Sequence, residues 1–497
     1  MRTLSKSKFI SGVQCPKKLW LEWYRPELKP PLDAATEKLF ATGHEIGKLA
    51  WLKFPNGKDA TPADYKNLSV SLGNTKIWLE QGVETIYEAS FSAGNAFCML
   101  DILHRNQGEL WAIEVKNSTS VKDYHLMDAS LQYWVMNEAG FAPDRFFLMH
   151  INNQYIRKGE ITSDLFTLTE ITDEVIGNQD FVGDKLKELG QLSLMETEPE
   201  VSIGLHCSNP FGCDFQHYCW AHVPENSVFE LTRMGAKAWD LFNQGIQRME
   251  EIPEDYPLSD SQVLQLRGLK FNETYCDAPA IRNFLNAWEC PLHFFDFETI
   301  MPAIPVLDGT RPYQQVPFQY SLHVLDENQN REHFEFLASP EAFSGGNPRK
   351  NLIEELKKDF RNVGSIVTYN KSFEVSRLRE LAEAFPEDAE FLQGLIERIV
   401  DLYDVFRNRW FYHPAMKNSA SIKSVLPALF PNFSYGDLNI SDGMTASDSY
   451  LGAVQNCEAL DLELKNNLLK YCELDTYAMV LIYGFLKDLD GTNDERK

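Results

Sequence analysis

HFFDFET (293–299) sets two acids, Asp296 and Glu298, into a run otherwise rich in aromatic residues. That composition predicts a strand, and a strand's alternation puts both carboxylates on one face. Phe294, Phe295 and Phe297 predict that the strand is buried rather than solvated on that face. Two like charges on a buried face are costly unless a cation lies between them. Outward from this stretch, VPFQYSLHVL (316–325) and HFEFLA (333–338) read as strands, 351–360 as a helix, and SIVTY (365–369) as a strand. Helices follow at 372–385 and from about 461 to 487, which together predict a mixed-sheet α/β domain. A third acid, Glu374 in YNKSFE, falls where a strand hands over to a helix. A fourth, Asp475 in YCELDTY, follows Tyr471 by one helical turn, so the two share a helix face.

In this order and on these element types, the motifs of residues 290–485 resemble the DEDD exonucleases of the RNase H-like, DnaQ-type fold, in the variant with a tyrosine in the third motif. The resemblance implies that Asp296, Glu298 and Asp475 ligate two divalent metals, Mg²⁺ or Mn²⁺, and that Tyr471 positions the water attacking a 3′-terminal phosphodiester. Glu374 departs from the family's usual Asp after N-x-x-F and is one methylene longer. Glu380, Asp401 and Asp404 are alternatives for its place, with Asp401 and Asp404 also readable as turn or cap residues.

The first half pairs helices at 33–53 and about 122–139 with strands CMLDIL (98–103), LWAIEVK (110–116) and RFFLMH (145–150). Asp101 ends one strand, and Glu114 and Lys116 share a face of the next, either as a solvated face or as a metal-binding pair with a lysine beside the attacked phosphate. The surrounding order resembles the RecB-type PD-(D/E)XK nucleases. That implies a restriction-endonuclease-like fold, catalytic roles for Asp101, Glu114 and Lys116, and His44 in ATGHEIG as a further metal ligand. Gln132 stands where that family carries Q-x-x-x-Y, but position 136 is Met and Tyr133 adjoins the glutamine.

Cys207, Cys213 and Cys219 are spaced C-x5-C-x5-C in GLHCSNPFGCDFQHYCW (204–220), and Cys15 lies far upstream in QCPKKLWL. This layout resembles the iron–sulfur subgroup of RecB-like nucleases. It implies that the four cysteines hold one [4Fe–4S] cluster that closes the domain on itself. Tetrahedral Zn²⁺ is the competing occupant, with His206, His217 or His222 able to replace a thiolate. Cys98, Cys276, Cys290, Cys457 and Cys472 read as buried or incidental thiols.

The 497 residues exceed one ordinary core, and 44% hydrophobic residues suffice to fill two. Expected domains are 1–225, a RecB-like nuclease domain with the cysteine clasp; 226–288, a helical connector read from AWDLFNQGIQRMEEI (238–252) and the Pro- and acid-rich 250–262; and 289–497, the exonuclease domain. The combination resembles a bacterial family that joins these two nuclease types. A net charge of −25 argues against a protein that coats phosphates generically, less against an enzyme whose metal sites are acidic. Lys6, Lys8, Lys17 and Lys18 read as a solvated helix face or part of a basic path. No signal-peptide core or run of eighteen apolar residues is present, so a cytoplasmic protein without membrane contact is expected. The expected function is metal-dependent hydrolysis of DNA in processing, repair or defence, on single strands or free 3′ ends. RNA is the other possible substrate, as for an exoribonuclease, and the alternative class is a nucleic-acid-binding or scaffold protein with one or both sites inactive.

Overall fold

A computed structural model describes residues 2–65, 67–417, 419–433, 436, 440 and 442–489, and it divides into two units, Met1–His222 and Val223–Lys497. Both are mixed α/β. No helix among the described residues is long and apolar enough to cross a membrane.

The first unit is built on a six-stranded sheet: β1 (Lys58–Asp59), β2 (Thr85–Ala93), β3 (Ala96–Asn106), β4 (Glu109–Lys116), β5 (Arg145–Ile151) and β6 (Phe166–Glu170), in that spatial order. β1 and β2 run parallel, as do β4 and β5, and the other neighbours are antiparallel. Between β3 and β4, Gln107 and Gly108 both have positive φ, 53° and 96°, as a tight hairpin turn requires. That turn sets the register Ile102↔Ile113 and so places Asp101 beside the end of β4. Helices α1 (Lys6–Gln14) and α2 (Pro16–Tyr24) meet at the extended Cys15, where Pro16 opens the second helix. α3 (Ala34–Ala50) is capped by Asp33, whose side chain accepts from the Thr36 amide at 2.7 Å. α4 (Asp123–Glu138) crosses from β4 to the parallel β5. It buries Ala129, Leu131, Val135 and Met136 in one core with Leu100, Leu103, Ala112 and Phe146. α5 (Gln179–Leu192) joins the same core through Val182, Leu186 and Leu189.

In the second unit the helix expected over 238–252 ends early. α6 spans Ala236–Asn243, and the chain turns at Gly245, φ 89°, before a short 3₁₀ turn at Met249–Glu251. α6 and α7 (Asp260–Phe271) share a small core of Leu231, Met234, Leu241, Met249 and Leu266. Tyr275–Cys276 then pairs with Phe411–Tyr412, so the stretch expected as a separate connector belongs to this unit.

Its main sheet holds β7 (Leu292–Ile300), β8 (Val316–Leu325), β9 (Arg331–Leu337), β10 (Ile366–Thr368) and β11 (Ile399–Asp401), in the order β9-β8-β7-β10-β11. β7, β8 and β9 are antiparallel neighbours, while β10 runs parallel to β7 and to β11. β7 lies between two cores. Phe295 and Phe297 enter one with α8 (Pro348–Asp359) and α9 (Ser372–Ala384), and Leu292 and Phe294 enter the other. That second core is covered by a helix α10 (Ile422–Leu429), by α11 (Gly443–Asn456) and by α12 (Leu462–Asp488).

Gly364 lets β10 start against β7. Its φ is 93°, and a Cβ there would fall 2.0 Å from the Pro291 carbonyl oxygen, a backbone atom that cannot move aside. Gly309, φ 75°, has open space instead. Gly364→Ala is therefore expected to cost about 2–4 kcal/mol, and Gly309→Ala only about 1 kcal/mol, in the urea unfolding midpoint followed by near-UV circular dichroism. Equal shifts would mean that the close approach to Pro291 does not matter.

Candidate active sites and a cysteine pocket

The structure brings Asp296, Glu298, Glu374 and Asp475 into one group, from β7, the first turn of α9 and the middle of α12. Asp296 and Glu298 lie on the even-numbered face of β7, the face that α12 covers. Burial pushes the Asp296 carboxyl well above the usual range, and the charges of Asp475, Glu298 and Glu374 add to it. Glu298 is raised for the same reasons, first burial and then Asp475, with Lys423 on α10 opposing. Glu374 is 1% exposed, and its Oε2 has no hydrogen-bond partner. Burial carries its carboxyl up to about 8, against a backbone hydrogen bond and Arg377. A buried carboxylate oxygen without a donor, inside a group of like charges, is costly unless a proton or a cation offsets it.

Tyr471 also reaches the group. A Cβ on Gly443, at the start of α11, would lie 3.6 Å from Glu298 Oε2 and 3.8 Å from Tyr471 Oη, so both oxygens converge on that glycine. Lys423 Nζ stands 5.5 Å from the Tyr471 ring. The three alternatives for Glu374 are engaged elsewhere. Asp401 accepts from the amides of Asn370, Lys371 and Tyr403 at 2.8, 3.1 and 3.1 Å, holding the β10–α9 turn where Asn370 has φ 76°. Asp404 pairs with Arg407 and Glu380 with Arg377. One residue read as incidental belongs here: the Cys472 thiol is 4.0 Å from Asp296 Oδ2, and burial and the carboxylates keep it protonated. Its signal was the three-residue spacing to Asp475, which puts both on one helix face.

In the first unit, Asp101, Glu114 and Lys116 come together at the β3–β4 edge. Asp101 Oδ2 accepts from the Val115 amide at 2.6 Å. Glu114 Oε1 accepts from both Lys116 Nζ and Lys6 Nζ at 2.8 Å, while its buried Oε2 has no partner. Burial disfavours the Glu114 charge, but the two ammoniums outweigh it and hold the carboxyl well below the usual range. Asp101 goes the other way, raised by burial and by Glu114.

Four neighbours escaped the sequence reading. Lys116 also bonds Asp128 on α4. Lys6 arrives from α1, where it had read as a surface or path lysine. Glu88 sits at φ 54° in a break of the β2–β3 register and is pushed up to about 7, mainly by burial. His125 is 4% exposed and lowered to about 4, first by burial and then by Lys116 and Lys122. With Gln132, whose buried amide lacks any partner, His125 and Asp128 form a polar stripe at helical spacing along an otherwise apolar α4. That stripe was the available signal. His44 is exposed on α3, and among the described residues no ion pair or hydrogen bond joins it to Asp101, Glu114 or Lys116.

Cys15, Cys207, Cys213 and Cys219 line one pocket with Lys17, Lys18, His206 and Phe215. Gln14 builds it: its Nε2 donates to the carbonyls of His206 and Phe211 at 2.9 and 2.7 Å, tying the end of α1 to the distant cysteine loop. Burial raises the thiols of Cys15, Cys213 and Cys219, the last to about 11. Among the described residues no three of these sulfurs fall within 4.8 Å of one another.

Glu374 generates a stability prediction. Its carboxyl titrates near 8 folded and near ~4.3 unfolded, so the folded state holds the extra proton between those values and loses stability as pH rises through them. In chelator at pH 9, Glu374→Gln is expected to be more stable than the parent by about 1–3 kcal/mol, with little difference at pH 5, as read from urea midpoints. A variant equally or less stable at pH 9 would refute the burial of this charge.

A family model described as a domain of unknown function, DUF2779, matches residues 293–421. The matched span contains Asp296, Glu298 and Glu374 and ends before Tyr471 and Asp475. The chain is 32% identical over 213 residues to the uncharacterized protein MG366 homolog of Mycoplasma pneumoniae, covering 39% of this chain and 32% of that protein. It is 31% identical over 222 residues to the uncharacterized protein MG366 of Mycoplasma genitalium, covering 40% and 32%. Among solved structures, the crystal structure of SSO0001 matches with a TM-score of 0.23 and 18% identity, over 45% of this chain and 88% of that one. The chain thus spans about a third of the length of the curated relatives it matches.

Proposed function

We propose that the chain is a metal-dependent nuclease. In this reading the second unit is a DnaQ-like, RNase H-like 3′–5′ exonuclease, and the first is a RecB-like, restriction-endonuclease-like domain stapled by a [4Fe–4S] cluster. The observation that carries it is the convergence of Asp296, Glu298, Glu374 and Asp475, in which burial and neighbouring carboxylates raise Asp296 and Glu298 well above the usual range, with Lys423 opposing at Glu298 and Arg377 at Glu374. Four carboxylates with so little compensation call for about two divalent cations.

Mg²⁺ or Mn²⁺ held there would lower the pKa of a bound water and offset charge on the leaving 3′ oxygen. The chain's own part is positional. Asp296 and Glu298, two apart on a buried strand, fix the ligand spacing, and Tyr471 Oη, beside Glu298, would orient the attacking water. Cys472 stays a thiol next to Asp296 and contributes no charge.

The first unit differs in its balance. Glu88, Asp101, Glu114 and Asp128 face Lys6 and Lys116, which leaves a deficit of two positive charges, suited to one divalent cation on Asp101 and the free Glu114 Oε2. Lys116, held by Glu114 and Asp128, would then be the cation beside the attacked phosphate.

For the cysteine pocket, tetrahedral zinc with bonds of about 2.3 Å needs sulfurs about 3.8 Å apart. A [4Fe–4S] cluster holds its thiolates farther apart than one zinc ion does, and a pocket lined by four cysteines and no carboxylate suits either occupant.

The test is nucleotide release from 5′-labelled single-stranded DNA and RNA, side by side, in Mg²⁺ or Mn²⁺. Shortening from the 3′ end is expected, reduced about 10²–10³-fold in Asp296→Asn, with Lys116→Ala removing any activity of the first unit. No release from either polymer would leave a binding or scaffold protein, and release from RNA alone would make it an exoribonuclease. Protein purified without oxygen is expected to be brown, absorbing near ~410 nm. Colourless protein with stoichiometric zinc would overturn the cluster.

A further inference from the structure

We infer that His323, His333 and Glu473 form a separate binding site for a zinc-like transition-metal ion, which ties the β8–β9 hairpin to α12. One ring nitrogen of each histidine and one Glu473 oxygen lie within 4.8 Å of one another, a grouping distinct from the carboxylates above. His323 and His333 are paired in the β8–β9 register with their rings stacked, centroids 4.4 Å and planes 25° apart, so that one ring would turn to share an ion with the other, and Glu473 comes from the helix.

The hydrogen bonds around the two rings have a single consistent direction. Thr476 Oγ1 contacts the Glu473 carbonyl at 3.1 Å, and a carbonyl only accepts, so the threonine proton is committed there. His323 Nδ1, 2.9 Å from the same oxygen, must then donate to it, and so must Ser321 Oγ at 2.7 Å. With the serine proton used, His333 Nε2 must donate to Ser321 Oγ at 3.0 Å. In the neutral form each imidazole therefore carries its proton on the hydroxyl side, which leaves His323 Nε2 and His333 Nδ1 as the nitrogens that would take an ion. Hydroxyls that fix the tautomer from behind are the arrangement that readies a histidine for a metal.

The donor set narrows the ligand. Two imidazoles and a carboxylate suit zinc or its first-row neighbours and suit Mg²⁺ poorly, which prefers oxygen. His323 is 2% exposed, and burial, with His333 and Arg331 nearby, lowers its pKa to about 3, so it stays neutral at physiological pH. Glu473 is exposed, leaving open the side where water would complete the shell. An ion held here would fix α12 at Glu473, two residues from both Tyr471 and Asp475.

The test counts metal on the full chain. After chelation and dialysis against micromolar zinc, metal content is measured for the parent, His333→Gln, Glu473→Gln, Asp296→Asn and Cys213→Ser. His333→Gln and Glu473→Gln, both at accessible positions, are expected to lose the same one equivalent, which Asp296→Asn and Cys213→Ser keep. Zinc should also raise the Tm of the parent by about 2–4 °C and leave that of His333→Gln unmoved. Equal zinc content in the parent and both single-site variants would overturn the site. Because the readout is stoichiometry rather than cleavage, it stands or falls separately from the nuclease reading.

Discussion

The second unit is organised around a charge that its core cannot absorb. Every residue of β7 except Asp296 is buried, and the strand separates two apolar cores, yet one of its faces carries two carboxylates. An uncompensated carboxylate in such a place costs several kcal/mol even after relaxation. The surrounding fold divides that face in two. Toward the start of β7, Leu292 and Phe294 meet the apolar end of α12, where Tyr483 packs on Phe294 with centroids 5.7 Å apart. Toward its end, Asp296 and Glu298 meet the stretch of α12 that carries Tyr471, Cys472 and Asp475. One helix crossing one strand thus seals a core and completes an acidic group.

What was legible in the sequence follows from this local origin. Asp296 and Glu298 are related by the strand period, and Tyr471 and Asp475 by the helical turn, so both pairs show without tertiary knowledge. The alternating pattern of β8, with Gln319, Ser321 and His323 between apolar residues, shows the strand at its full extent, Val316–Leu325. The 238–252 helix was overdrawn because apolar spacing continues past Gly245, where the backbone turns. In the first unit the strand residues were legible but their partners were not. Lys6 is 108 positions from Glu114, and only the folded sheet brings them together. Asp128 and His125 were hidden differently. They lie on a helix whose sequence mixes polar and apolar residues, and only in the fold does Asp128 meet Lys116 of β4.

The two acidic groups share a residue type and differ in bookkeeping. At β3–β4 two lysines answer four acids, and Glu114 is driven to ionise by its partners against its burial. At β7 the acids mainly see one another, and protons take the place of counter-ions when nothing else is present. The first arrangement is closed by lysine hydrogen bonds from α1 and β4, whereas the second is set into the packing between β7 and α12.

That packing fixes α12 in more than one way. Its buried residues Leu468, Cys472, Thr476, Met479, Tyr483 and Leu486 follow one another at spacings of three or four, one stripe along the helix with Tyr471 beside Cys472. Gln319 on β8 donates to the Leu468 carbonyl at 2.9 Å, and Ser321 and His323, on the same face of β8, bond Thr476. β8 therefore grips the helix at two points eight residues apart, and Tyr471, Cys472 and Asp475 lie between them. A slip of one residue would turn the helix by about 100° and shift it by about 1.5 Å, removing all three from β7 at once. The polar contacts on β8 are what make the acidic register of α12 specific, since an apolar stripe alone would tolerate a shift of a full turn.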